Sequence, residues 1–510
     1  MVASLGPATA DARNRDPVAD IMNQAKYQRS RWGLLVTDLA TGKTLRSLNP
    51  DQYFVPGSNA KLFSLSTAWD VLGPDHRFTT PVFRQGTMRG STLDGNLVLV
   101  AQGDLTMGGR TKPDGTVDFT NFDHNDANAL PGFGELTPED PLAGLNDIAA
   151  QVKASGINHV DGDVVIDDRL FTKDTAQNAQ QPTYPIIVND NLIDITVTPT
   201  TNGKPATFDY RPKTATYTVE GTVDTVATGS PISLQATTSP TQPQVIIISG
   251  QVPEGWSTPI VHTFQVEDPP AFARTALIEA LDRAGVTVAA PATGPNPDNL
   301  LPPTTSYIPN TRVAAYVSPV FSEYVKLILK VSLNMGANLS VCLLAVEQHQ
   351  TDCLAGLSSI ADFLTRAGID PGGVALGDGQ GATSNDLYTP ETTVDLLTYW
   401  THRPDFDRFR ATLPVLGVDG SLAIVATTSP AKGHVAAKTG TLAGGDFVND
   451  RAVLYAKALA GYIDARDGRH LSFIAVVNNS PLPPDPTTGV LDANNDLGAI
   501  AAAIWNKPKS

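Results

Sequence analysis

Strand-forming runs stand near both ends of this chain, and a long stretch of different texture separates them. Trp32 to Thr37 and Thr44 to Arg46 read as two short strands around the turn Ala40-Thr41-Gly42. Matching signals return far downstream, at Val435 to Lys438, Ala456 to Ile463 and Leu471 to Asn478. From about Phe83 to Phe264 the sequence breaks into short β-rich runs divided by Thr, Ser, Pro and Gly, among them Asn96 to Val100, Asp163 to Ile166, Ile193 to Thr198, Tyr217 to Thr222 and Val245 to Ser249. Helical spacing flanks that stretch: Leu62, Leu65, Trp69 and Leu72 stop before Gly73-Pro74, which predicts a helix over 58–72. Another is predicted over Phe272 to Ala284, then a Pro-rich linker from Pro291 to Pro303 and a series of helices between Val320 and Trp400. Strands from both termini with helices between them imply one discontinuous α/β domain, split by a β-rich insert.

The chain has 510 residues, 41% hydrophobic, which is enough for two or three domains with cores of their own. Lys+Arg 36 against Asp+Glu 52 leaves a net charge of −16, which repels nucleic-acid backbones and anionic lipid surfaces and argues against both as partners. No apolar run approaches the ~20 residues that span a bilayer. The best, Leu339 to Val346, is interrupted by a serine. Met1 leads into a small polar tail, Val2 to Asp16, without a basic region followed by an apolar one, so any export signal is expected to have been removed.

Two cysteines, Cys342 and Cys353, exclude a cysteine zinc site and lie too far apart for a C-x-x-C redox pair. On one continuous helix they would stand about 16 Å apart. A bridge therefore needs Gln348 to Asp352 to turn the chain back, and two buried thiols are the plain alternative. The even count in a chain expected to be exported favours the bridge.

Three short motifs carry chemistry. Ser58-Asn59-Ala60-Lys61 opens the first helix, where i, i+3 spacing sets hydroxyl and amine on one face near the positive helix end. A serine hydroxyl needs a base to become a nucleophile, and a desolvated lysine can be that base. Ser332-Leu333-Asn334 follows the helix Phe321 to Leu329, where a hydroxyl and an amide can enter a cleft or merely cap the helix. Lys438-Thr439-Gly440-Thr441 continues a strand and offers a cation, two hydroxyls and a glycine to a carboxylate at the strand edge; a solvated strand-end lysine is the plain alternative. Each motif is weak alone: S-x-x-K recurs at Ser429-Pro430-Ala431-Lys432, and S-x-N at Ser47-Leu48-Asn49. Their order is not weak, because S-x-x-K on a helix, then S-x-N, then K-T-G on a strand is close to the set that β-lactamases and penicillin-binding proteins share. The long interval between Ser58 and Ser332 holds the β-rich insert.

This arrangement resembles the type 4 low-molecular-mass penicillin-binding proteins, a D-alanyl-D-alanine carboxypeptidase/endopeptidase family of serine peptidases. The likeness extends to Gly95 to Val100, Val188-Asn189-Asp190-Asn191, Val266-Glu267-Asp268-Pro269, Asp378-Gly379-Gln380-Gly381 and Gly417 to Leu422. It departs at Gln380, where the family usually has serine, and at Leu333, where Asn or Asp is commoner. The resemblance implies an α/β (α+β) penicillin-binding-protein/β-lactamase-like transpeptidase domain over 1–85 and 305–510, an inserted domain over 86–166 and 262–304, and a β-rich domain nested over 167–261. It also implies the roles: Ser58 attacks the carbonyl between two D-alanines, Lys61 takes its proton, Ser332 and Asn334 pass a proton to the leaving amine and hold the acyl chain, and Lys438 binds the terminal carboxylate beside Thr439, Gly440 and Thr441. The backbone N–H groups of Ser58 and Thr441 form the expected oxyanion hole. Peptidoglycan peptides are then the substrates, β-lactams the inhibitors, no cofactor is needed, and the location is periplasmic or secreted.

Two other readings stand beside this one. A β-lactamase needs a fast deacylation base, yet no Glu-x-x-x-Asn follows Ser332 before Lys438. A silent peptidoglycan-binding protein would keep the fold without the chemistry, whereas every reactive position is intact here. The 8 histidines form no H-E-x-x-H, against a zinc peptidase. Asp118, Asn121, Asp123, Asn125 and Asp126 crowd oxygen ligands of the kind calcium favours, and an acidic surface loop is the commoner explanation.

Overall fold

A computed structural model describes residues 16–508 apart from Ser384. The polar tail Val2 to Asp16, except for Asp16 itself, lies outside the described residues. The chain forms two compact units, Met1–Phe63 with Ile360–Ser510, and Ser64–Ser359.

The first unit unites the two ends of the chain in one sheet. Its order is Val435–Asp446, Arg451–Asp464, His470–Pro481, Arg31–Asp38, Thr44–Leu48, all antiparallel. Trp32, Leu34 and Val36 alternate along the fourth strand and meet Leu459, Phe473, Ala475 and Val477 in one core. The helix Pro486–Asn506 closes that core with Leu497, Ile500, Ala501, Ile504 and Trp505, which fall on one helical face. Asp485 caps it by accepting from Thr487 N, and Pro486 takes the first helical position, where a missing N–H costs nothing.

The second unit carries the β-rich texture. A six-stranded sheet is built on Thr79–Arg89 and Thr92–Val100, joined by Arg312–Val317, Val164–Asp167 and two very short strands. The helices Ala143–Ala154 and Pro269–Arg283 pack on it through Leu145, Ile148, Val152, Phe272 and Leu277. Two three-stranded sheets hold Leu192–Thr198 with its neighbours and Val245–Pro253 with its own. The helices Phe321–Val331 and Asn334–Glu347 follow. After the second of these His349 adopts a left-handed φ of 59°, the chain doubles back, and Cys342 is bonded to Cys353.

Val188-Asn189-Asp190-Asn191 acquires its meaning in this unit. Asn189, Asp190 and Asn191 all take φ near 53–54°, a conformation that costs most side chains about 1–2 kcal/mol each and suits Asn and Asp best. Each side chain anchors the turn: Asn189 Nδ2 donates to Leu192 O at 2.8 Å, Asn191 Oδ1 accepts from Val188 N at 3.1 Å, and Asp190 pairs with Arg110 and His124. His124 Nδ1 reaches Asp194 at 2.7 Å, and Asp194 also receives Arg211 at 3.1 Å. Arg110 lies 2.8 Å from Asp123 through each of two nitrogens. Three buried carboxylates thus meet two guanidiniums and an imidazole. The oxygen-rich loop spends Asp123 on Arg110.

Candidate active site

Gly57–Ala60 forms a single 3-10 turn that runs into the helix Lys61–Leu72, so Ser58 stands at the head of the helix. The segment leading in is fixed from two sides. Phe54 and Tyr388 exchange backbone hydrogen bonds at 2.9 Å, and Asn478 donates to Val55 O and accepts from Val55 N. Asn59, the second residue of the motif, is buried; its Nδ2 donates to Lys438 O at 2.8 Å and its Oδ1 accepts from Tyr388 at 3.3 Å. Two glycines permit this closeness: a Cβ on Gly57, whose φ is +51°, would lie 2.7 Å from Thr441 N, and one on Gly440 would lie 2.3 Å from Pro56 O. The Ser58 turn therefore rests against the K-T-G strand.

Lys61 is fully buried and its Nζ donates to Ser58 Oγ at 2.7 Å, while Ser58 is half-buried. The same Nζ donates to Gln380 O at 3.2 Å. That carbonyl is held by Asp378, which accepts from the backbone N–H of Gln380 and Ala382 at 3.0 and 3.1 Å. At this position the backbone oxygen makes the contact, so the glutamine found where serine is usual leaves it intact. Asp386 braces the loop from below by accepting from Gly377 N and Thr383 N, and burial together with Asp378 pushes its carboxyl up to about 6.

Lys438 is buried and donates to Thr439 O at 2.8 Å; Thr439 exchanges a hydroxyl hydrogen bond with Ser421 at 2.8 Å. The strand Val435–Asp446 lies at the edge of the sheet. Its outer side is closed at Val435 and Ala437, whose backbone groups bond to Leu416 N and Pro414 O. Antiparallel alternation then points the backbone groups of Thr439 and Thr441 outward as well. Thr441 N, beside Gly57, is thus aimed where the Ser58 turn lies.

The competing matches drop out. Ser429 accepts from Ala431 N within its own turn and Lys432 is exposed; Asn49 donates to Trp32 O in a left-handed turn. Ser332 and Asn334 belong to the second unit. Ser332 terminates the helix Phe321–Val331 with φ 61° and ψ 35°, and Asn334 opens the next helix. Both are half-buried, and Leu333 between them is fully buried, which explains an apolar residue there. Sequence reasoning overlooked Asp378, Asp386, Asn59 and Asn478 as supports, and also Lys457, which donates to Thr441 Oγ1 at 2.7 Å.

A serine and lysine one turn apart at a helix head rest against a K-T-G edge strand, the arrangement expected of an active-serine site. The fold matches penicillin binding protein 4 from Haemophilus influenzae with a TM-score of 0.69 at 19% identity, over 96% of this chain and 98% of that one. Residues 15–493 match the D-Ala-D-Ala carboxypeptidase 3 (S13) family, and the chain belongs to it. It is 29% identical to a D-alanyl-D-alanine carboxypeptidase of Actinomadura sp. (strain R39), over 94% of this chain and 84% of that one. It is 24% identical to the penicillin-sensitive carboxypeptidase A of Dictyostelium discoideum, over 93% and 89%.

Proposed function

We propose that this protein is a serine D-Ala-D-Ala carboxypeptidase, with endopeptidase activity on peptidoglycan cross-links. The observation that carries the reading is the 2.7 Å contact between the buried Lys61 amine and the half-buried Ser58 hydroxyl at the head of a helix. In this reading Lys61 takes the Ser58 proton as Oγ attacks the carbonyl between two D-alanines. The outward N–H of Thr441 and the N–H of Ser58 receive the developing oxyanion; losing such a donor typically costs ~10²–10³ in rate. Ser332 passes a proton to the departing D-alanine amine, Asn334 holds the acyl chain, and Lys438 with Thr439, Gly440 and Thr441 binds the terminal carboxylate. Water then cleaves the acyl-enzyme, whereas a β-lactam leaves an ester on Ser58. In support, a homologous fold, that of the Haemophilus influenzae protein, has been solved in complex with a β-lactam.

The six-stranded and smaller sheets of the second unit support an inserted region of two β-rich domains, over 86–166 with 262–304 and over 167–261. The Cys342–Cys353 bridge supports an oxidising, extracytoplasmic location. Among the described residues no helix is long and apolar enough to cross a membrane.

Intact-mass measurement after penicillin treatment tests the reading. One adduct should appear, map to the peptide containing Ser58 and vanish in Ser58→Ala; an adduct on Ser332 or Ser429 overturns the assignment. Rapid loss of the adduct would mark a β-lactamase, and no adduct a silent binding protein.

A further inference from the structure

A second buried lysine lies behind the K-T-G-T segment, outside every motif. Lys457 stands on the strand Arg451–Asp464, directly opposite Thr441 on one side and Val477 on the other. It is 3% exposed, and among the described residues no carboxylate pairs with it. Burial pulls its amine down to about 7. Its neighbours along that face, Leu459 and Val477, belong to the apolar core, where a leucine or methionine would fill the space without desolvating a cation. An amine retained there serves the group it touches.

That group is the Thr441 hydroxyl. Thr441 Oγ1 accepts from Lys457 Nζ at 2.7 Å, so its own O–H must point elsewhere, and among the described residues it finds no acceptor. Thr441 is half-buried on the edge strand, one residue beyond Gly440. The chain of donors runs from amine to hydroxyl to whatever lies at the edge, and only an acceptor, best an anion, completes it. Lys438 and Thr441, at positions of opposite parity on the strand, put their side chains on opposite faces of it.

We propose that Lys457 is a positioning residue for the substrate's terminal carboxylate: it holds the Thr441 hydroxyl with its hydrogen directed outward and sets a positive charge one hydroxyl behind the anion. This rests on the carboxypeptidase reading. The amine and the hydroxyl act as one unit, so removing either should remove the same interaction.

Steady-state kinetics of the full-length enzyme on a D-Ala-D-Ala peptide and on its C-terminal amide tests it. Lys457→Met should raise KM for the carboxylate substrate roughly five- to thirty-fold, as expected for a charge-assisted bond relayed through one hydroxyl, with kcat within about twofold. KM for the amide should change by less than about twofold. Lys457→Gln, which keeps an uncharged donor and is gentler on folding, should give a smaller loss with the same selectivity. Thr441→Val should match Lys457→Met, and the double variant should be no worse than the worse single one. Equal losses on both substrates, a loss confined to kcat, or additive effects in the double variant overturn the proposal. Penicillin labelling of the same preparations separates the two levels: an unlabelled, inactive wild type fails the carboxypeptidase reading, whereas a labelled enzyme with unchanged Lys457→Met kinetics fails this inference alone.

Discussion

Replacing His124 by Gln tests how the second unit is held together. Burial alone would push the imidazole down, but the carboxylates of Asp194, Asp123 and Asp190 outweigh it and raise His124 to about 10. In the unfolded chain it titrates near 6.5. A folded value above the unfolded one gives stability that is complete below about pH 6.5 and is lost as pH climbs through about 10. Over that interval the contribution is on the order of 3–5 kcal/mol, the same size as the penalty for removing one partner of a buried ion pair. At roughly 2–4 °C per kcal/mol for a domain of this size, His124→Gln should lower the melting temperature at pH 6.5 by about 6–20 °C. Lys457 in the first unit works in the opposite sense: its folded value lies below the unfolded one, so it destabilises as pH falls from above 10 toward 7. The difference between wild type and variant removes that contribution. Scanning calorimetry at half-unit steps from pH 6 to 10.5 should show the two melting curves converging as pH rises. Parallel curves, offset by a constant, would refute the argument, because the cluster would then be held by packing and not by the imidazolium.

Three further outcomes follow from the site. Lys61→Met keeps much of the stem and removes the base, so acylation by penicillin and peptide hydrolysis should both fall by about 10²–10⁴, read by stopped-flow acylation; normal acylation with hydrolysis alone lost would rule out Lys61 as the base. Lys438→Gln should lower kcat/KM on a D-Ala-D-Ala peptide by roughly ten- to two-hundred-fold and on the amide much less; equal losses would reject carboxylate anchoring. Thiol labelling of denatured, unreduced protein should find no free cysteine, and reduction should cost about 2–3 kcal/mol of stability, as a short disulfide loop implies.

Much of the architecture was legible because strands bury alternate residues and helices every third or fourth. Residues 32–37, 193–198 and 471–478 fall inside observed strands, and the helix over 58–72 exists except that its first turn is 3-10, drawn tight where Gly440 meets Pro56. The helix Pro486–Asn506 went unread. Its first half, with Thr, Gly, Asp and Asn, looks like a loop, although Leu497, Ile500, Ile504 and the Asp485-Pro486 start carry the signal. The site divides in the same way. Motif order favours Ser58 over Ser429 and Lys438 over an ordinary strand-end lysine. Lys457 was invisible because its partnership with Thr441 is a cross-strand register, which depends on where the hairpin after Asp446 turns. Asp378 was read as part of a motif, but that its carboxylate aims a backbone carbonyl at Lys61 is a property of the folded loop.

The geometry of the edge strand also bears on why a dipeptide terminus would suit it in the proposed reading. An open strand edge invites an added strand, and unprotected edges invite unwanted partners. Here the outer side is occupied through Ala437 by Pro414 and Leu416, and regular pairing breaks at the bulge between Leu442 and Ala443. Between those limits only Thr439 and Thr441 point their backbone groups outward. Thr439 O is already taken by Lys438 Nζ. Two outward residues on one strand span about 7 Å, the length of two residues of an added strand. A longer peptide segment would find no further backbone partners, whereas in the proposed reading a chain end of two residues would meet Thr441 N and O and the threonine hydroxyls, with Lys457 one hydroxyl behind Thr441. Under the proposed reading, selectivity for a terminus would follow from where the edge closes, and the charges would favour a terminus that carries a carboxylate.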